Sequence, residues 1–250
     1  MAAGLLTAAC AGGPAPRADA PVDGYLTPDS VAAMASGAQP RPDANDPAAS
    51  QALRALEDTD RWWLAIAHAE LRPPEAAQHF DCVLGTRLAA KPRPALTRIM
   101  NRLLADSAAL GARLAAANPR PRPIAVDRAR RACQRITDAD RASGSWPATG
   151  AVAGAAYGEL FAALAPNRAA AARAMGREIG VSRAVCALNW PSDVEDGLRL
   201  GQALYARANA SPGFQPDLEA ARFELAAARA EGLTSPACAA ERRALRPGAD

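Results

Sequence analysis

Between Ala95 and Ala117, Leu96, Ile99, Met100, Leu103, Leu104, Leu110 and Leu114 recur at intervals of three and four. That period lines one face of an α-helix and suits no strand. Asn118-Pro119 stops it, because proline lacks the N–H the next turn needs. Weaker versions of the pattern predict helices over 49–71, from Pro73-Pro74 to about Leu88, and over 127–138, 148–164, 167–187, 191–210 and 216–231. Pro166, Pro191 and Pro216 mark starts. With alanine abundant, few β-branched residues and no convincing strand run, the chain reads as all-α: a single bundle of about eight helices with short connections.

The ends are different. Residues 1–20 read as a secretion leader; "MAAGLLTAAC" resembles the end of a bacterial signal, with Cys10 a candidate for lipidation and "ADA" at 18–20 an alternative cleavage site. Residues 21–48 read as an extended arm, 49–232 as the helical domain and 233–250 as a tail of little pattern. No apolar run approaches the ~20 residues of a membrane span. The expected location is therefore periplasmic or otherwise exported, with a lipid anchor at Cys10 as a variant. With Cys10 in the leader, Cys82, Cys133, Cys186 and Cys238 remain, an even number that suits an oxidising compartment and leaves three pairings open. None of their spacings is CxxC and the two histidines lie elsewhere, which argues against a metal site. Nothing in the sequence calls for a cofactor.

The net charge is +3, carried by arginine, with Lys91 the only lysine. Acids interleave with the arginines, so no basic stripe argues for nucleic acid. Arginine does suit bidentate contact with oxyanions. Three stretches bring polar groups to helix ends or loops: "PRPRP" (119–123), "SGSWPATGAVAG" (143–154) and "SRAVCALNWPSD" (182–193). Arg120, Arg122 and Arg183 could converge on one anion there. Thr149 and its backbone amide sit at a predicted helix N-terminus, where N–H groups point at an anion.

On these stretches the chain resembles the bacterial class A non-specific acid phosphatases, in the helical superfamily that also holds phosphatidic acid phosphatases and vanadium haloperoxidases. The likeness runs from about Ser145 to Phe223, with further matches at "GYLTPDS" (24–30), Cys133 and "SPGFQPDLEAARFE" (211–224). The family pattern is lysine, six residues, Arg-Pro; then Pro-Ser-Gly-His; then Ser-Arg, five residues, His, three residues, Asp. The resemblance implies covalent chemistry, in which one histidine attacks phosphorus, a carboxylate orients it, a second histidine protonates the leaving oxygen, and lysine, arginines and amides hold the phosphoryl group.

Here Arg122-Pro123, Pro147, Ser182-Arg183 and Asp193 match, and Arg120 matches a frequent family arginine. The lysine position is Ala115. Ser-Gly-His is replaced by Ala148, Thr149 and Gly150, and the nucleophilic histidine by Asn189. The resemblance therefore implies the acid phosphatase fold with no intact catalytic set, and a phosphate pocket of Arg122, Arg183, Thr149 and Arg120. Phosphate or a phosphorylated small molecule is the implied partner. The resemblance also implies a disulfide between Cys133 and Cys186, which leaves Cys82 and Cys238 for each other.

Plainer readings stand beside these. Asn189 suits a helix N-cap ahead of Pro191, and Thr149 suits a cap as well. Arg-Pro recurs at 72–73, 93–94 and 246–247, so the dipeptide alone carries little. Asp193 could neutralise Arg122 or Arg183. His68 and His79, separated by Pro73-Pro74, read as solvated helix-face residues, and Trp62 and Trp63 as helix-packing residues. A working phosphomonoesterase with a rearranged site and a structural partner-binding domain are the alternative functions.

Overall fold

The computed structural model describes residues 23–246; the expected leader with Cys10, and residues 247–250, lie outside that range. Among the described residues every regular element is helical. In chain order they are α1 (Pro28–Ser36), α2 (Asp46–Ala52), α3 (Asp60–Ala67), α4 (Asp81–Leu84), α5 (Pro94–Ala117) and α6 (Pro123–Val126). Then come α7 (Asp138–Ala142), α8 (Thr149–Leu164), α9 (Ala169–Val185), α10 (Pro191–Asn209), α11 (Phe214–Ala230) and α12 (Cys238–Ala244). The all-α expectation holds, with twelve α-helices among the described residues in place of about eight.

The five long helices, α5 and α8 to α11, lie within two residues of the spans read from periodicity. The differences are in the shorter pieces. The expected helix over 49–71 is broken by Asp58, whose φ of 65° places it in the left-handed region that Asp tolerates. The next one dissolves into a 3₁₀ turn over Glu75–Phe80 and α4, which Gly85 ends at φ 67°. The helix expected over 127–138 does not form. Asp127 instead accepts the Ala129 amide at 3.0 Å, Cys133 is held to Cys186, and Thr137 opens α7 with a capping box to Asp140.

The arm is not wholly extended, since Thr27 caps α1 by accepting the Ser30 amide. Its start is pinned to α5: the Asp106 carboxylate, 2% exposed, accepts the amides of Tyr25 and Leu26 at 2.8 and 3.1 Å. The tail carries α12, tied to α4 through Cys82–Cys238. Both disulfides expected from the sequence are formed.

The centre of the molecule is α8. It is apolar on all sides and buried along almost its whole length, the pattern of a helix with no solvent face. Its small residues let α9 and α10 approach backbone to backbone. A methyl added at Gly176 on α9 would stand 2.5 Å from the Gly154 carbonyl oxygen of α8, and one at Gly201 on α10 2.2 Å from that of Val152. Around this trio pack α5 and α11, with Phe80 stacked on Phe161 at 4.2 Å. Glu224 on α11 accepts the Ala95 and Leu96 amides at 2.9 Å each, satisfying the first turn of α5.

Overpacking such a contact costs about 1–3 kcal/mol, against a helix-propensity gain of at most about 1 kcal/mol. Gly176→Ala is expected to lower the melting temperature by roughly 2–10 °C. Gly37→Ala, where an added methyl meets nothing within 4 Å, should stay within about 2 °C of the parent. Calorimetric scans of the two variants check this.

Candidate functional site

The three polar stretches singled out from the sequence converge at the N-terminus of α8. Ser145 joins them. Its amide donates to the Arg120 carbonyl at 2.7 Å, its carbonyl accepts the Asn189 side-chain amide, and its hydroxyl donates to Asp193 at 2.5 Å. The third stretch arrives because Ala187 turns the chain out of α9 at φ 57°, a conformation unusual for alanine and enforced by full burial. The Leu188 and Asn189 amides then close back onto the Arg183 carbonyl at 3.0 and 3.3 Å. The Cys133–Cys186 disulfide clamps the same turn.

Asn189 is 2% exposed and is not the cap of α10; that position belongs to Trp190, which makes no side-chain cap bond. Its amide is used on Ser145. Thr149 is likewise not a cap. It is the first residue of α8, after Ala148, and its side chain packs into the space left by Gly111, where an added methyl would lie 2.4 Å from Thr149 Oγ1.

Asp193 is fully buried. One oxygen accepts the Ser145 hydroxyl and the other the Arg120 guanidinium. Arg120 also binds Asp46 at 2.7 Å and the Ser192 hydroxyl at 3.0 Å. Asp193 thus neutralises an arginine, but Arg120 rather than Arg122 or Arg183. Burial holds the Asp193 carboxyl above its ordinary pKa, with Ser145 and Arg120 only partly offsetting it. Asp46 is also raised by burial, but its bonds from Ser192 and Arg120 outweigh that and leave it below the ordinary value. Asp46 and Ser192 were not candidates from the sequence. Asp46 falls in the stretch expected to be an extended arm but opens α2, and nothing local says that it meets Arg120, 74 residues on.

Arg122 donates to the Ser143 hydroxyl at 2.9 Å and to the Leu188 carbonyl at 2.6 Å. Arg183, in the last turn of α9, is half-buried, and its Nε is buried without an acceptor. Burial first, then the neighbouring charge of Arg122, lowers its pKa to about 10, so it remains a cation at neutral and acidic pH. Its stem fills the space beside Gly150: a methyl there would lie 2.7 Å from Arg183 Cδ. Ala115, at the lysine position, is in the last turn of α5 beside Gly144. The arrangement brings Arg122, Arg183 and the first turn of α8 together. It contains no imidazole.

The two histidines are not solvated helix-face residues. His68 is 1% exposed, and its ring lies edge-on to His79 with centroids 5.0 Å apart. The proline break between them folds the 3₁₀ turn back onto α3 and brings them together. His68 Nδ1 meets the Ser182 hydroxyl at 2.9 Å, one residue before Arg183. No three carboxylate, thiol or imidazole groups among the described residues are placed to share a metal ion. Trp62 is core, as expected, whereas Trp63 is 57% exposed.

No protein-family model matches the chain. It is similar to an acid phosphatase of Zymomonas mobilis, 30% identical over 195 residues that cover 76% of this chain and 72% of that one. A non-specific acid phosphatase of Salmonella typhimurium is 27% identical over 176 residues, 68% of this chain and 69% of that one. One from Providencia stuartii is 26% identical over 183 residues, covering 73% and 74%.

Removing Arg120 leaves two buried carboxylates without their cation. Arg120→Ala is expected to cost about 3–5 kcal/mol, read as a shift of the urea midpoint. The burial of His68 generates a pH effect. Burial, with the charges of His79 and Arg61, depresses its pKa to about 3, while the unfolded imidazole titrates near about 6.5. Its contribution is complete above that pH and is lost as pH falls toward about 3, at up to about 1.4 kcal/mol per unit. Urea unfolding at pH 7 and pH 4 should therefore show a smaller acid loss for His68→Phe than for the parent.

Proposed function

The chain belongs to the acid phosphatase family, and on that premise we propose that it is an exported member that binds phosphate, or a phosphorylated small molecule, and is impaired in turnover. The observation that carries the binding half is Arg183. A buried guanidinium nitrogen without an acceptor, beside a second arginine and a helix N-terminus, is a site that an anion completes. Arg122 and Arg183 supply the charge, and the amides of Thr149 and Gly150 supply neutral donors. Arg120 plays a different part from the one its motif suggests: bound to Asp46 and Asp193, it holds the loops that carry the cradle.

The impairment rests on the roles that the family resemblance implies. Asn189 stands at the nucleophile position, and an amide nitrogen has its lone pair delocalised. Here it is also turned to the Ser145 carbonyl. Asp193, the orienting carboxylate of the family, has both oxygens engaged by Arg120 and Ser145. Gly150 carries no proton to donate, and Arg183 fills the space beside it. Losing a general acid costs about 10²–10⁴ in rate, and losing the nucleophile of a serine-protease triad about 10⁶. Export belongs to the same proposal. Two disulfides fit an oxidising compartment, and no described helix is long and apolar enough to cross a membrane.

The test is a pair of measurements on the purified chain and on Arg183→Ala. Hydrolysis of a chromogenic phosphomonoester across acidic pH is expected to stay at background for both. Phosphate or orthovanadate at 100 times its Kd should stabilise the parent by about 2.7 kcal/mol, a rise of roughly 5–10 °C in melting temperature, and should leave the variant unchanged. Turnover that Arg183→Ala abolishes would make the protein a working phosphatase with a rearranged site. No thermal response to either anion would remove the binding role.

A further inference from the structure

A second cavity lies apart from the arginine pair. It has a volume of about 500 Å³ and is bounded by α3, the 3₁₀ turn over Glu75–Phe80 and α12. None of the family-position residues lines it. Its walls are mainly apolar, among them Leu64, Ala240 and Ala244, and Trp63 stands half-exposed at its edge. Its charged lining groups are all acidic: Asp60, Glu70, Glu75 and Glu241. Arg243 and Arg72 pair with Asp60 and Glu70. Glu241 has no ion pair among the described residues. Burial, reinforced by the charge of Asp81 and only partly offset by Arg242, pushes its carboxyl up to about 7.

The protonation of His68 follows from its neighbours. Ser182 Oγ spends its single proton on the Glu178 carbonyl at 2.9 Å and accepts Arg61 at 2.9 Å. It can therefore only accept from His68, so Nδ1 carries the imidazole proton and Nε2 a bare lone pair. That Nε2 is buried and has no partner. His79 is fixed in the same way. Its Nε2 lies 2.8 Å from the Glu70 carbonyl, which can only accept, so its lone pair is on Nδ1.

Lone pairs, carboxylates and an apolar wall select a particular guest. An anion finds no positive side chain in the lining, so this histidine pair is no substitute for the missing phosphatase imidazoles. A metal ion finds no set of three ligands. A cation with N–H donors and an apolar body satisfies every feature. We propose that the cavity binds a small organic ammonium ion, its N–H groups taken by Glu241 and His68 Nε2 and its apolar body lying against Trp63, Leu64 and Ala240.

Calorimetric titration of the full chain with phenethylammonium tests this. Saturable binding is expected, unaffected by inorganic phosphate, with none for N-acetylphenethylamine or 3-phenylpropionate. Glu241→Gln and His68→Phe should each weaken binding by about tenfold or more. Trp63→Ala, at an exposed position, should weaken it without disturbing the fold and stands in if His68→Phe does not fold. Equal affinity for the neutral or anionic analogue, unchanged affinity in Glu241→Gln, or no binding at millimolar ligand would overturn the proposal. Because phosphate binding is read separately through Arg183, either result leaves the other intact.

Discussion

Helix α8 can be central only because its neighbours come close enough to touch its backbone. Gly154 and Gly176 meet across α8 and α9, and Gly201 meets the Val152 carbonyl across α10. Dispersion over such a contact accumulates from many small terms and is lost quickly when helices separate. The same approach sets the chemistry. With α9 and α10 drawn against α8, the end of α9, the start of α10 and the start of α8 fall together, and Arg183, Asp193 and Thr149 come with them.

Charge completes what packing begins. Arg120 lies between two buried carboxylates that belong to helices far apart in the chain, α2 and α10. Desolvating three charges is costly, and the cost is offset only because each oxygen and donor finds a partner, including Ser145 and Ser192. The network fixes the loops and gives each Asp193 oxygen a partner. Arg183 has no such arrangement. It faces a like charge in Arg122, and its buried Nε has no acceptor.

Much of this was legible in the sequence. The long helices are written in three- and four-residue spacing with prolines at their starts, and local signals of that kind survive folding because they report the buried face directly. The convergence of the 119–123, 143–154 and 182–193 stretches was legible through the family pattern. What stayed hidden depends on distant or unfavoured choices. Ala187 adopts a backbone conformation for which alanine carries no signal. Asp46 finds Arg120 only in three dimensions. His68 and His79 looked solvated because the proline break between them reads as a separator, whereas it is the bend that brings them edge to face. Asn189 looked like a cap because its type and position suit one, and a buried carbonyl on Ser145 claimed it instead.

The contact between Gly150 and Arg183 makes these two positions one locus. A single volume is available to them, and the arginine stem occupies it. Any side chain introduced at 150 is also a decision about where the guanidinium goes, so substitutions at the pair will be strongly non-additive. An imidazole placed at 150 would need Arg183 to take another path, so the two groups, which the family pattern keeps side by side in Pro-Ser-Gly-His and Ser-Arg, could coexist here only after the guanidinium stem had swung aside.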